Sequence, residues 1–192
     1  MEEGKIIAGK VVIIGGSAGS LDVLLKILPG LAAIPSFALV IVLHRKSGED
    51  TTLEELIAVK TAIPVKEVED KVLLEAGYIY IAPADYHLLF EKNGELSLDI
   101  SEKVHYSRPS IDVSFESAAD AYGQAVTAIL LSGANADGTH GLKTVKEAGG
   151  ATVVQKPESA EVPFMPANAI GNMQVDYILD PEGLLAFIRG LA

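Results

Sequence analysis

The chain contains no cysteine and no tryptophan among its 192 residues. Without cysteine there is no disulfide framework, no thiolate zinc site, no iron–sulfur cluster and no Cys nucleophile. Cations are scarce: 15 Lys plus Arg against 26 Asp plus Glu leave a formal charge of −11 and a pI near 4.7. That balance argues against a nucleic-acid partner, because phosphate backbones are bound by surplus Lys and Arg. Long apolar runs are missing too. The longest, Phe37 to Leu43, has seven residues, where a membrane span needs about 18. No membrane insertion is expected. Met1-Glu2-Glu3-Gly4-Lys5 is acidic and lacks the marks of a signal peptide, so a cytoplasmic location is the expectation.

What is present suffices for a core. Hydrophobic residues make up 49%, charged residues 21%, and the mean hydropathy is +0.32. A globular chain follows, and intrinsic disorder is excluded. The length suits one domain with one inserted arm.

Short apolar segments alternate with helical ones. Lys10 to Ile14 is a β-branched run with no polar alternation, as for a strand buried on both faces. Ser20 to Leu28 carries leucines at helical spacing, and Gly30 follows its end. Phe37 to His44 reads as a second buried strand, and Thr51 or Thr52 opens a helix to about Lys60. Tyr78 to Ala82 reads as a strand stopped by Pro83. Asn93-Gly94 between His87–Glu91 and Glu95–Ile100 is a hairpin signal. Alternation resumes with a helix capped by Ser110, a strand over 125–131, a helix over 139–148 and a strand over 151–155. A short helix over 166–172, a strand over 175–179 and a helix capped by Asp180 with Pro181 at its first position close the chain. The sum is α/β: a doubly wound, mostly parallel sheet flanked by helices, with an antiparallel hairpin arm at about 86–100.

Such sheets place their sites beyond the carboxyl ends of strands. Gly15-Gly16-Ser17-Ala18-Gly19 there matches G-x-S-x-G between strand and helix, the context of a nucleophile elbow. The same turn also suits phosphate binding or a tight turn without ligand. The chain lacks G-x-G-x-x-G here, and it lacks a P-loop lysine. A serine nucleophile needs a base. His44 ends the neighbouring strand and is placed to meet Ser17, whereas His87 reads as structural or rim and His105 falls in a polar segment. His140, in a first helical turn, reads as a cap or a substrate contact. Asp137 follows the third buried strand, either as the N-cap of the next helix or as the acid that orients His44. The order Ser17, His44, Asp137 differs from that of α/β-hydrolases, chymotrypsin and subtilisin.

These segments resemble a known family. Ile14-Gly15-Gly16-Ser17-Ala18-Gly19, Val42-Leu43-His44 and Tyr80-Ile81-Ala82-Pro83-Ala84-Asp85-Tyr86-His87 look like the catalytic domain of the chemotaxis protein-glutamate methylesterase, CheB. Arg108-Pro109-Ser110-Ile111-Asp112, Leu131-Ser132-Gly133 with Ala136-Asp137-Gly138, and Phe164-Met165-Pro166 continue the likeness over nearly the whole chain. The resemblance implies a Ser-His-Asp triad at Ser17, His44 and Asp137. It implies hydrolysis of glutamate γ-methyl esters on cytoplasmic helices of chemoreceptors, with deamidation of glutamine as a second activity. No cofactor and no metal are implied. The backbone near Ala18 and Ala134 is the expected oxyanion site, and Arg108 an expected substrate contact. Arg45, Lys46, Lys156 and Arg108 are cations placed to offset the repulsion between an acidic protein and an acidic receptor. The family's Ser-Thr-Gly-Gly elbow is here Ser17-Ala18-Gly19-Ser20, and Ala134 replaces a methionine of its acyl pocket. One catalytic domain over 1–192 is expected, with no receiver domain and with a separate regulatory partner. The competing readings are a non-catalytic α/β binding module and a phosphate-binding protein that uses the Gly15–Ser20 turn.

Overall fold

The computed structural model describes residues 7–46 and 52–192. The first half of the chain builds β1 (Val11–Gly16), α1 (Ser20–Ile27), β2 (Ala38–Leu43), α2 (Thr52–Ala58), β3 (Val65–Glu67), β4 (Val72–Leu73) and β5 (Ile79–Ile81). The second half builds β6 (His87–Phe90), β7 (Glu95–Asp99), α3 (Ile111–Tyr122), β8 (Val126–Leu130), α4 (Thr139–Glu147), β9 (Ala151–Gln155), α5 (Phe164–Asn172), β10 (Tyr177–Leu179) and α6 (Pro181–Arg189). Seven strands form one sheet in the order β10-β9-β8-β1-β2-β5-β3, and every pairing is parallel. A separate antiparallel sheet has the order β4-β7-β6.

Period-two alternation divides the core. Val11 and Ile13 of β1 point to one face, where they meet Ile111 and Phe115 of α3 and Leu142 of α4. Val12 and Ile14 point to the other, where Leu24 and Ile27 of α1 pack with Leu184 and Ile188 of α6. Both faces of the central strands are thus buried, which is why their sequence shows no polar alternation. The small sheet lies over α3: Leu88, Phe90 and Leu96 join the same cluster as Phe115.

The expected α/β architecture and hairpin arm are both present. The arm gains a third strand, β4, from an unexpected quarter. β3, at the edge of the large sheet, was also not anticipated. Val65-Lys66-Glu67 is half-buried and mostly polar, so it carries no apolar run. The expected start of α2 at Thr51 falls outside the described residues, and the alternative at Thr52 is observed. Ser110 caps α3 through Val113 N–H, and Asp180 caps α6 through Gly183 N–H, as the sequence predicts.

The strand order sets the site. After β1 the chain crosses to β2, on one side, while β8 lies on the other and feeds β9 beyond it. The connections diverge between β1 and β8, which is where open sheets leave a crevice. Ser17, His44 and Asp137 follow β1, β2 and β8, three adjacent strands.

The close approach of α3 to β1 depends on Gly15. A Cβ there would lie 2.5 Å from Ile111 Cγ2 and 3.2 Å from the Phe115 ring. Overpacking of this kind costs roughly 1–3 kcal/mol. Gly15→Ala is therefore expected to lower the unfolding free energy from urea titration by an amount in that range, and an unchanged value would mean that α3 can recede freely.

Candidate active site

The turn after β1 is pinned by main-chain bonds. Ser17 N–H donates to Ser132 O at 2.9 Å, and His44 N–H donates to Gly16 O at 3.1 Å. Ser17 O accepts Ser20 N–H at 3.0 Å and also the Ser20 hydroxyl. Gly19 then opens α1 at φ +82°, where a Cβ would lie 2.7 Å from both Ser132 Oγ and Glu161 Cβ. The Ser132 hydroxyl donates to Ala18 O at 2.7 Å and accepts Val162 N–H at 2.9 Å. Buried Gln155 accepts the Ser132 N–H through Oε1 at 3.0 Å. The turn that carries Ser17 is thus bolted to the end of β8 and to the segment before α5.

Asp137 is fully buried and does not cap α4. Gly138 holds that cap position, with no side-chain bond. The carboxylate reaches back to α3. Its Oδ1 accepts the Ser110 hydroxyl at 3.0 Å and Asp112 N–H at 2.9 Å. Its Oδ2 accepts Ile111 N–H at 2.7 Å and lies 2.7 Å from His44 Nε2. Asp112 returns the exchange: its Oδ1 accepts Gly138 N–H at 2.9 Å and Gly141 N–H at 2.7 Å, at the start of α4. Asp137, just before α4, therefore serves the N-terminus of α3, and Asp112, in α3, serves that of α4, where free N–H groups and the helix dipole favour an anion.

The two carboxyls are driven apart in acidity. Burial pushes Asp137 up, but the hydrogen bond from His44, the N–H groups of Asp112 and Ile111, and the His44 charge outweigh it and hold it below the ordinary value of 3.8. Burial pushes Asp112 up, and the neighbouring Asp137 charge adds to this against the Gly141 N–H and His105. Asp137 is thus the carboxyl that stays ionised beside His44. Because His44 presents Nε2 to the carboxylate, Nδ1 is its remaining proton acceptor.

His44 is nearly buried, with 12% of its side chain exposed. It and Ser17 line two clefts. One, of about 240 Å³, is walled by Leu21, Leu43, Leu53 and Leu56. The other, of about 710 Å³, is polar and includes Arg108, Asn135 and Tyr106. Nearby amides differ in availability. Ser17 N–H is spent on Ser132 O, and Gly133 N–H on Val162 O. The N–H groups of Ala18 and Ala134 meet no acceptor among the described residues. The Met165 side chain packs on Gly133, beside Ala134, where a Cβ would lie 2.6 Å from its terminal methyl.

The other histidines lie off the Ser17–His44 line. His87 is buried, accepting Ser110 N–H at Nδ1 and meeting Glu102 O at Nε2. His140 is exposed, pairs with Glu116 at 3.5 Å, and lines neither cleft. The expected substrate contact for His140 is therefore not available, and Lys156 also falls outside both linings. His105 pairs with Asp112 at 3.0 Å. His105, Asp112 and Asp137 bring ligand atoms within 4.8 Å of one another, but both Asp137 oxygens and Asp112 Oδ1 already accept N–H or O–H donors. Asp112, His105, Ser132 and Gln155 were not found by sequence reasoning. An Asp in a first helical turn signals only dipole stabilisation, and Ser132 and Gln155 act through contacts 23 to 114 residues away.

Acid titration tests the state of Asp137. A carboxyl with a depressed folded-state pKa contributes stability above its unfolded value and loses it as pH falls through the folded one. Asp137→Asn should be less stable than wild type at pH 7, and the gap should narrow as pH falls below about 4. Urea unfolding of both proteins at pH 7, 4 and 3 measures it. A gap that stays constant would mean that Asp137 is not the ionised group.

Comparison with known proteins identifies a family. A profile described as CheB methylesterase matches residues 12–188. A Leptospira interrogans protein with a provisional protein-glutamate methylesterase/protein-glutamine glutaminase name is 41% identical over 181 residues, covering 94% of each chain. A Thermotoga maritima protein-glutamate methylesterase/protein-glutamine glutaminase is 34% identical over 192 residues, and the match takes in 95% of this chain but 55% of the relative. The crystal structure of the Thermotoga maritima CheB methylesterase catalytic domain superposes with a TM-score of 0.91 at 33% identity, covering 97% of this chain and 100% of that one. With the fold and nearly the full length matching, this chain belongs to the CheB methylesterase family.

Proposed function

We propose that the chain is a serine carboxyl-ester hydrolase that removes methyl groups from glutamate γ-methyl esters on chemoreceptor cytoplasmic helices, releasing glutamate and methanol, and that also deamidates glutamine at such sites. The observation that carries the reading is the junction of Ser17 and His44 at both clefts, with His44 held by a buried, ionised Asp137 at 2.7 Å.

Each step uses a group already named. Ser17 Oγ attacks the ester carbonyl carbon as His44 Nδ1 takes its proton. The oxyanion is met by the unspent N–H groups of Ala18 and Ala134. Collapse breaks the bond to the methoxy oxygen, and Nδ1–H protonates it, so methanol leaves and an acyl-serine remains. Water then gives its proton to Nδ1 and attacks the acyl carbon, which frees glutamate and regenerates Ser17. With glutamine the leaving group is ammonia. Asp137 fixes the tautomer and stabilises the imidazolium; it takes no proton itself.

A fluorophosphonate separates this reading from a binding module or a phosphate-binding turn, because it labels only an activated serine. Labelling of Ser17, and loss of methanol release by about 10⁶-fold in Ser17→Ala with the fold retained, are the expected results. Wild-type activity should rise with pH through one ionisation, and His44→Ala should abolish it while His140→Ala keeps most of it. Substantial turnover by Ser17→Ala, or a dead His140→Ala, would overturn the assignment.

Asp137→Asn is predicted to lower kcat by about 10⁴, because an amide facing Nε2 favours the wrong tautomer. A steady-state rate close to wild type would reduce Asp137 to a helix-capping residue.

A further inference from the structure

The wide cleft beside Ser17 has the opposite charge to the protein as a whole. The chain carries −11. Yet Arg45, Lys46, Lys103 and Arg108 line this cleft, against one carboxylate, Asp85, among its described residues. Elsewhere Lys66 pairs with Glu75, Lys92 with Asp120 and Lys146 with Asp176. Arg45 is matched as well, with Nη1 3.2 Å from Glu67. Lys46, Lys103 and Arg108 meet no carboxylate among the described residues. Arg108 is anchored instead by neutral acceptors, with Nη1 donating to Ile100 O and Ser101 O at 3.0 Å, and its Nε is buried without a partner. Its charge is therefore held in place and left uncompensated. The contrast with another cleft, of about 450 Å³ beside β3, is direct: there Glu54, Glu67 and Glu69 face Lys66.

Like-charged cleft walls focus the local field and raise the concentration of an oppositely charged ligand, even against an opposing net charge. Resting on the esterase reading above, we propose that Lys46, Lys103 and Arg108 form a specificity rim that selects methyl esters flanked by free carboxylates. On a helical substrate, carboxylates three or four residues from the ester lie about 5–6 Å away on the same face. They would meet the rim while the ester meets Ser17. One consequence follows from the reaction itself. Every turnover converts a neutral ester into a carboxylate, so each hydrolysed site improves the flank of its neighbour. Removal of methyl groups from closely spaced sites then accelerates as it proceeds.

The test uses two helical peptides that carry one glutamate γ-methyl ester, with glutamate or with glutamine one turn to either side. Methanol release gives kcat/KM for each. Wild type should favour the glutamate-flanked peptide by about tenfold at low ionic strength, and the ratio should fall towards one at high salt, where exposed charges are screened. In the double variant Lys46→Glu/Lys103→Glu the ratio should drop to one or below. Lys26→Glu/Lys92→Glu makes the same change in net charge away from the cleft and should keep the preference. Equal rates for the two peptides in wild type, or a preference retained by Lys46→Glu/Lys103→Glu, would overturn the rim. Hydrolysis of p-nitrophenyl acetate by wild type is measured in parallel. If that small ester is also left intact, the esterase reading itself falls and the rim falls with it.

Discussion

Two aspartates exchanged between two helix ends hold this structure together at its working point. Asp137, at the end of the loop after β8, accepts N–H groups of α3, and Asp112, in α3, accepts N–H groups of α4. Helix N-termini expose N–H groups that must find acceptors, and buried carboxylates need several donors to stay ionised. The exchange meets both needs at once. It also clamps α3 to α4 across the face of the sheet, where Ile111 and Phe115 pack against Gly15. A carboxylate held this way presents Oδ2 to His44, and its position is fixed by donors from Ser110, Ile111 and Asp112 and by the histidine.

The pair also explains how two buried carboxyls sit side by side. Both cannot ionise freely at short range. Asp137 collects His44 and lies low, while Asp112 is held high with His105 alongside. Environment thus assigns different roles to chemically identical groups, as it does for acid and base pairs in other hydrolases.

Much of this was legible in the residues. Apolar runs without polar alternation predicted buried strands, and β1, β2 and β8 are those strands. The placement of Ser17, His44 and Asp137 after three of them followed from the rule of strand ends. Elements without a long apolar run escaped, as with β3 and β4. The N-cap alternative for Asp137 does not hold, because the helix nearest in sequence is not the helix that it serves. Asp112 escaped for the same reason, since its acceptor role depends on Gly138 and Gly141, 26 and 29 residues away. Charge distribution was legible only in part. Arg45 looked like a free cation near a strand end, but Glu67 of the unforeseen β3 matches it, and Lys103 lies in a loop that gave no signal.

The same geometry divides the site into a rigid and a variable half. Ser17 and His44 hang from main-chain bonds that continue the β8–β1–β2 ladder, Ser17 N–H to Ser132 O and His44 N–H to Gly16 O. Their separation is therefore a property of strand spacing, and side-chain changes elsewhere barely reach it. The loop from Gly133 to Ala136 has no such support on its outer side. Gly133 is held by Val162 and Met165, but Ala134 is exposed and short. A side-chain change at Ala134 therefore leaves the main-chain bonds that position Ser17 and His44 untouched. The loop can vary while the placement of Ser17 and His44 stays fixed, because the two are carried by different physical supports.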